Sequence, residues 1–155
     1  MLEDNLIRDN VFVEGEVGTS AGGYYDGPYR HKNIRILNNA FFSIGRNSPT
    51  NRKISFGIQI RDWDSGLVQG NILSDFPKKA SHSWAFHITQ SQNKGKPKRH
   101  HSKKYVLGFN TASKKSAAVI FDYSNKNETN CRFASNIIYL PETGIFASWP
   151  GKKQN

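Results

Sequence analysis

Apolar and polar residues alternate in short runs along the chain, and five of these runs turn at an asparagine. In every copy, the residue three before the asparagine and the residue two after it are apolar. Alternation with a period of two predicts β-strands that bury one face. Each copy therefore predicts a strand, a short turn and a second strand. The five asparagines are Asn10, Asn39, Asn71, Asn110 and Asn136.

Asparagine is suited to such a corner for two reasons. It tolerates the left-handed backbone region, and stacked side-chain amides can hydrogen-bond from one copy to the next. We therefore expect the five asparagines to form one continuous row between two sets of buried side chains. The expected buried residues are Ile7, Ile36, Val68, Leu107 and Phe133 before the corner, and Phe12, Phe41, Leu73, Ala112 and Ile138 after it.

A second register of strands supports the repeat independently. Residues 57–61, 85–89 and 118–122 each begin with a small residue and then alternate, and residues 144–147 are expected to begin a fourth copy. The corner asparagines are 29, 32, 39 and 26 residues apart, which indicates a constant core with loops of variable length. The predicted fold class is all-β, a right-handed parallel β-helix (solenoid) of about five coils with an asparagine ladder. A sandwich of short antiparallel strands is the alternative, but it does not explain the recurring asparagine.

Through residues 33–41 and 57–72 in particular, the chain resembles the pectate-lyase-like superfamily of right-handed β-helix proteins. The resemblance extends over about residues 5–147. It implies a carbohydrate-active protein, since the superfamily includes polysaccharide lyases, glycoside hydrolases, uronate epimerases, phage tailspikes and adhesins. No catalytic signature of these families can be carried over residue by residue. Because such enzymes usually have more coils, we expect residues 1–155 to be a single β-helix domain, an internal or C-terminal part of a longer solenoid.

The composition adds an anionic partner to this picture. The formal net charge is +10 and the pI is about 9.8, which points to nucleic acid, an acidic membrane surface or an acidic polysaccharide without choosing among them. One cysteine excludes a disulfide framework and a cysteine zinc site. No apolar run approaches the roughly 18 residues of a membrane span, so no membrane partner is expected. The resemblance implies a secreted or cell-surface protein, although residues 1–4 do not resemble a signal peptide.

The candidate site follows from the outward positions of the second register. Arg61, Thr89 and Asp122 occupy equivalent outward positions on three successive copies, with His87 beside them. Neighbouring strands lie about 4.8 Å apart, so these side chains are expected to form one row. The loop at residues 61–66 follows the first of these strands, where the resembled enzymes commonly build their substrate groove.

Side chains around this row suggest carbohydrate chemistry. Trp63 and Tyr123 are expected to offer flat apolar surfaces to sugar faces. Asp62 and Asp64 are candidates for an acid, a base or a metal ligand. Ca²⁺ is the one cofactor that such carboxylates suggest, and no metal site is assigned. The structural alternative is that Asp62, Asp64 and Ser65 only form a turn through bonds from side chain to backbone.

The longest spacing between corner asparagines contains a basic loop insertion at residues 91–104. It leaves the same sheet edge as residues 61–66, so its lysines, including Lys103 and Lys104, are expected to draw a polyanion into the groove. The alternative is a solvated loop that only keeps the protein soluble.

Two classes of function remain open, and the first is an enzyme acting on an acidic polysaccharide. For β-elimination, Arg61 would neutralise the uronate carboxylate and His87 would be the base. For hydrolysis, Asp122 would pair with Asp62 or Asp64 at about 10 Å, slightly beyond the usual inverting separation of about 6.5 to 9.5 Å. Elimination therefore fits better.

The second class is a non-catalytic glycan-binding β-helix of a cell-surface adhesin, or of a phage tail fibre or tailspike. A fibre protein would be a trimer, whereas an enzyme of this type would be a monomer. Nucleic acid ranks third as a partner, because aromatic residues are not interleaved with the basic run and no nucleic-acid-binding motif occurs.

Overall fold

All regular secondary structure in the described part of the chain is β-strand. The computed structural model describes residues 3–21, 31–47, 49–51, 54–61, 63–76, 82–89, 105–108, 110–114, 120–121 and 132–139. The strands in these ranges are β1 (Leu6–Arg8), β2 (Val11–Val13), β3 (Val17–Ala21), β4 (Ile34–Leu37), β5 (Ala40–Phe42), β6 (Ile54–Arg61), β7 (Gly66–Gln69), β8 (Ile72–Phe76), β9 (His82–Thr89), β10 (Tyr105–Gly108), β11 (Thr111–Lys114), β12 (Ile120–Phe121), β13 (Arg132–Ala134) and β14 (Ile137–Tyr139).

Every third strand joins the same sheet. The first sheet has the order β1-β4-β7-β10-β13, the second β2-β5-β8-β11-β14, and the third β3-β6-β9-β12. All pairings between these strands are parallel. The antiparallel sandwich is therefore wrong, and the chain repeats as a unit of three strands. The first repeat comprises β1, β2 and β3, and the last described repeat comprises β13 and β14.

The register of the first sheet confirms the alignment predicted from the asparagine spacing. Ile36 pairs with Ile7 on one side and with Val68 on the other. Leu107 continues the column, pairing with Val68 and Phe133. Each of these residues stands three positions before a corner asparagine, so one column of the sheet is built from equivalent residues of all five copies.

The predicted row of asparagines is also confirmed. The Oδ1 atom of Asn39 accepts hydrogen bonds from the main-chain N and the Nδ2 of Asn10, both at 3.1 Å. The same pair of bonds links Asn39 to Asn71, Asn71 to Asn110 and Asn110 to Asn136, at 2.9 to 3.1 Å. Asn39, Asn71 and Asn110 are buried. Their Nδ2 atoms also donate to main-chain carbonyl oxygens of the preceding copy, so the burial of these amides is compensated by hydrogen bonds.

The sharp bend, however, occurs one residue earlier than expected. Among the described residues of this corner, Asp9, Asn38, Gly70 and Ser135 are left-handed, with φ between 53° and 67°, and each directly precedes a row asparagine. The row asparagines themselves have no positive φ. Because the preceding residue makes the turn, the side chain of the row asparagine can point into the corner. Its amide then bonds the equivalent asparagines of neighbouring copies.

The core lies between the three sheets and contains residues from all of them. Phe41 and Leu73 of the second sheet are fully buried, as are Ile58 and Phe86 of the third. A Cβ atom on Gly57 would come within 2.5 Å of Leu73 Cδ2, so packing requires the small residue that opens this strand pattern.

The third sheet extends beyond the predicted strands. β6 and β9 begin at Ile54 and His82, earlier than expected, and β3 was not predicted. Residues 144–147, expected to begin a fourth copy, lie outside the described residues.

Replacing Asn71 by alanine should lower the free energy of unfolding by about 1 to 3 kcal/mol, because the main-chain N of Asn39 loses its acceptor and the carbonyl oxygen of Ile36 loses the Nδ2 donor. Asn10→Ala is the matched control at the same corner. Asn10 is exposed, and within the described residues its Oδ1 accepts no hydrogen bond. Urea unfolding should therefore show a smaller loss for Asn10→Ala, and equal losses would mean that the buried row does not stabilise the fold.

Candidate functional site

By their places in the chain, most candidate residues belong to the connections that lead from the third sheet to the first. These connections comprise residues 22–33, 62–65, 90–104 and 122–131, and we refer to them as the variable corner. The strands that lead into it are parallel and in register, so they end at the same edge of the sheet. The asparagine corner, by contrast, has two residues in every copy. The uneven spacing of the asparagines therefore arises at the other two corners.

Arg61 and Thr89 are paired at this edge, as the outward row predicted. Arg61 is the last residue of β6, and nothing about its side chain is described. Phe121 pairs with Ile88, in agreement with the predicted register of the next copy. The other candidates at this corner lie outside the described residues, namely Asp62, Asp122, Tyr123, Lys103, Lys104 and the basic loop at residues 91–104.

Trp63 is a structural residue of this corner. Its indole is fully buried, and its Nε1 donates a hydrogen bond to the carbonyl oxygen of Ala21 at 2.8 Å. A Cβ atom on Gly66 would lie 2.2 Å from Cε3 of this ring, so the tryptophan requires glycine at the start of β7. A ring without exposed surface cannot stack on a sugar, and the expectation that Trp63 forms a sugar platform is therefore wrong.

Asp64 and Ser65 connect this loop to the preceding repeat. The main-chain N of Asp64 donates to the carbonyl oxygen of His31 at 2.7 Å. The Oγ of Ser65 accepts a hydrogen bond from the main-chain N of Asn33 at 2.8 Å. Ser65 thus makes a bond between side chain and backbone, but the bond joins it to the preceding repeat and does not form a turn within residues 62–65. The Asp64 residue remains half-exposed.

His87 lies on the face of the third sheet that points away from the core, yet it is only 7% exposed. It belongs to a group of four residues, Ser20, Phe56, Gln59 and His87, which we term the His87 cluster. Gln59 Nε2 lies 2.8 Å from His87 Nδ1, and Ser20 Oγ donates to Gln59 Oε1 at 2.7 Å. The Phe56 ring stacks on the imidazole with centroids 4.5 Å apart. His87 thus belongs to a packed cluster and does not line an open groove.

The hydrogen bond with Gln59 limits what His87 can do. With the amide oriented this way, Gln59 Nε2 donates and His87 Nδ1 accepts, so a neutral ring carries its proton on Nε2. The only lone pair of the imidazole that can accept a proton is then engaged by Gln59. To act as a general base, His87 would have to exchange this hydrogen bond, and its burial would have to be relieved.

Part of this cluster could be predicted from the sequence. The predicted strand register already aligned Gln59 with His87, and the pairing confirms it. Ser20 was missed because β3, Val17–Ala21, has no strong apolar alternation. No pattern within the sequence of these strands predicts that the cluster is buried. Alternation distinguishes the two faces of a sheet, but it does not show whether the outer face is covered.

A second polar cluster, at the corner between the second and third sheets, is also structural. Arg46 bridges Glu14 at 3.1 Å and Asp75 at 2.7 Å, and Ser43 Oγ donates to Asp75 at 2.6 Å. These carboxylates are thus joined to cationic or hydroxyl partners. Within the described ranges, no group of three His, Cys, Asp or Glu side chains could hold a metal ion. Those ranges also contain no helix long and apolar enough to cross a membrane.

Replacing His87 by alanine should lower the free energy of unfolding by about 1 to 3 kcal/mol, because the buried Gln59 amide loses its partner and Phe56 loses its stacking neighbour. Urea unfolding measures this, and Phe42→Ala on the exposed face of β5 is a control for simple loss of an aromatic ring. An unchanged midpoint for His87→Ala would indicate that this face is open to solvent and to ligands.

Comparison of the chain with protein-family models, with curated proteins and with solved structures gave no match. Function is therefore inferred from the residues and the geometry of this chain alone.

Proposed function

We propose that this chain is a right-handed parallel β-helix of about five coils that binds an acidic polysaccharide at its variable corner. The chain visits the three parallel sheets in the same order in every repeat, so each set of three strands would make one circuit of a solenoid. This order supports the proposed fold. Right-handedness is supported by the general preference, about 98%, for right-handed crossovers between parallel strands. The hydrogen-bonded asparagines would run along one edge of that solenoid.

The observation that carries the binding proposal is the attachment of the basic loop. The chain enters it after Thr89, which pairs with Arg61, and leaves it at Tyr105, which pairs with Gly66. Between Lys94 and Lys104 stand eight cationic or histidine residues. The strands before and after this segment, β9 and β10, therefore pair with β6 and β7, the strands on either side of residues 62–65. A net charge of +10 adds a general attraction for polyanions.

Cleavage by β-elimination is the finer proposal for this corner. A uronate carboxylate must be neutralised before the neighbouring proton becomes acidic, and Arg61, Lys103 and Lys104 are the cations proposed for that step. His87 is the proposed base only if ligand binding displaces Gln59 from its Nδ1 atom.

Hydrolysis would use other residues of the same corner. The carboxylate pair proposed for it is Asp122 with either Asp62 or Asp64. Tyr123 is the remaining aromatic candidate for sugar stacking.

A non-catalytic glycan-binding β-helix is the second candidate, and two observations favour it. Trp63 is inside the core, and the His87 imidazole is enclosed with its Nδ1 engaged. Of the candidate residues that the structure describes, Trp63 thus offers no exposed ring for sugar stacking, and His87 offers no accessible base. In either case we propose a secreted or cell-surface location, as a monomer for the enzyme and as a trimer for a tail fibre.

Binding to polyuronates or sulfated glycans should exceed binding to neutral glucans and should weaken as ionic strength rises, because the attraction is electrostatic. Affinity electrophoresis or calorimetry on the two glycan classes measures this. Changing Lys96, Lys98, Lys103 and Lys104 together to glutamine should remove most of the salt dependence.

A matched control removes the same charge elsewhere. Lys78 and Lys79 follow β8, and Lys114 and Lys115 stand at the end of β11, so all four are next to the corner between the second and third sheets. Their joint change to glutamine should have a smaller effect on binding. Equal losses from both sets, or equal binding of neutral and acidic glycans, would contradict a binding site at the variable corner.

If the chain cleaves its ligand by elimination, incubation with polyuronate should produce the ultraviolet absorbance of an unsaturated uronate, and Arg61→Ala should abolish it. Arg61→Lys should restore part of the activity, because the positive charge is kept. Loss of activity in Asp122→Asn alone, with products that lack this absorbance, would support hydrolysis. Binding without any product from several acidic glycans would favour the non-catalytic candidate.

A further inference from the structure

Two columns of the first sheet contain arginines and no acidic residue. Ile34 and Ile36 of β4 are fully buried, so Arg35 between them points away from the core. The two columns run through Arg35 and through Leu37, two positions further along β4. Their members are Leu6, Arg35, Leu67, Val106 and Arg132 in one column, and Arg8, Leu37, Gln69, Gly108 and Ala134 in the other.

The guanidinium of Arg35 has no partner among the described residues. Its Nε is the one buried side-chain nitrogen or oxygen atom of the described ranges that makes no hydrogen bond. Arg8 of the same sheet, by contrast, has its Nε 3.5 Å from a carboxylate oxygen of Asp9, and Arg46 bridges two carboxylates. A buried donor without an acceptor is unfavourable for folding. An anionic group from outside the chain would supply the missing acceptor.

The surroundings of Arg35 fit an anionic group that is attached to a partly apolar body. Arg35 pairs with Leu6 on one side and with Leu67 on the other. Leu6 is 42% exposed, and both Leu67 and Arg35 are half-buried, so part of this surface remains accessible. A guanidinium can donate two parallel hydrogen bonds to a carboxylate or a sulfate. The apolar face of a sugar ring can cover leucine side chains, so an acidic sugar meets both requirements.

The Arg35 column lies at the edge of the first sheet that adjoins the variable corner. β4 begins at Ile34, directly after residues 22–33 of that corner, and Arg35 is its second residue. Arg132, in the same column, is the first residue after residues 122–131. The two arginines are three strands apart, a distance of about 14 Å at the usual strand spacing. A polyanion at the variable corner can therefore extend onto this column.

We propose that Arg35 binds a carboxylate or sulfate group of the acidic polysaccharide on the outer face of the first sheet. This inference rests on the proposed function and adds to it a contact on a sheet, outside the connecting loops. In the complex, the guanidinium turns toward the ligand, and its Nε and one Nη donate to two oxygens of the anionic group. The sugar ring then covers Leu6 and Leu67.

Arg35→Met tests the contact, because it keeps an unbranched apolar side chain and removes the donors. Its affinity for polyuronate, measured by calorimetry, should be about tenfold lower than that of the parent, since a pair of charge-assisted hydrogen bonds is lost. Arg35→Lys should recover part of the affinity, because it keeps the charge without the parallel donors. The same titrations with a sulfated and with a neutral glucan show which anionic group is bound.

Arg8→Met is the matched control, since it removes the same charge from the same sheet. Its guanidinium is already paired with Asp9, so the affinity should fall by about twofold at most. Equal losses for Arg8→Met and Arg35→Met would mean that only the net charge matters, and would overturn the contact.

Urea unfolding without ligand provides a second readout. The midpoint of Arg35→Met should equal or exceed that of the parent, because the change removes a buried donor that has no acceptor. A lowered midpoint would show that the guanidinium stabilises the fold itself, and would overturn the proposal.

The four-lysine variant of the basic loop separates this contact from the proposed function. If that variant loses affinity while Arg35→Met binds like the parent, the Arg35 contact is wrong and binding at the variable corner stands. If Arg35→Met loses affinity and the four-lysine variant does not, the Arg35 contact stands and the basic loop is not the site. A parent chain that binds none of the three glycans would contradict both.

Discussion

The hydrogen-bonded row of asparagines is the interaction on which the rest of the structure depends. A shift of one residue between parallel strands would turn the buried side chains of a sheet outward. The row opposes such a shift, because each buried amide bonds the next amide and also a carbonyl oxygen of the preceding copy. Any slip would leave several buried polar groups without partners, at a cost that a marginally stable protein cannot sustain. The constant register of the core follows from this one corner.

Because the register is fixed at one corner, the other two corners are free to vary. The connection between β6 and β7 is residues 62–65, whereas that between β9 and β10 is residues 90–104, although both join equivalent strands. Loops of this kind can change length and charge without disturbing the packed sheets. The short loop before β7 is bonded to the preceding repeat, and the segment that carries the basic residues begins at the same sheet edge.

The covered outer face of the third sheet changes how the site is understood. His87 and Gln59 point away from the core, but they are only 7% and 8% exposed. Gln59 bonds His87 and accepts a hydrogen bond from the Ser20 hydroxyl, and the Phe56 ring stacks on the imidazole. The third sheet is thus covered on both faces around Gln59 and His87.

The sequence by itself determined the parallel repeat, the asparagine row and the pairing of Ile36 or Gln59 with their equivalents, because these depend on short periodic patterns. It did not reveal β3, whose residues alternate weakly, or the left-handed residues that directly precede the row asparagines. The burial of Trp63 was decided by tertiary structure, since its indole bonds a carbonyl oxygen 42 residues away. The enclosure of His87 was decided in the same way. Exposure depends on which distant parts of the chain cover a side chain, and alternation within one strand contains no such information.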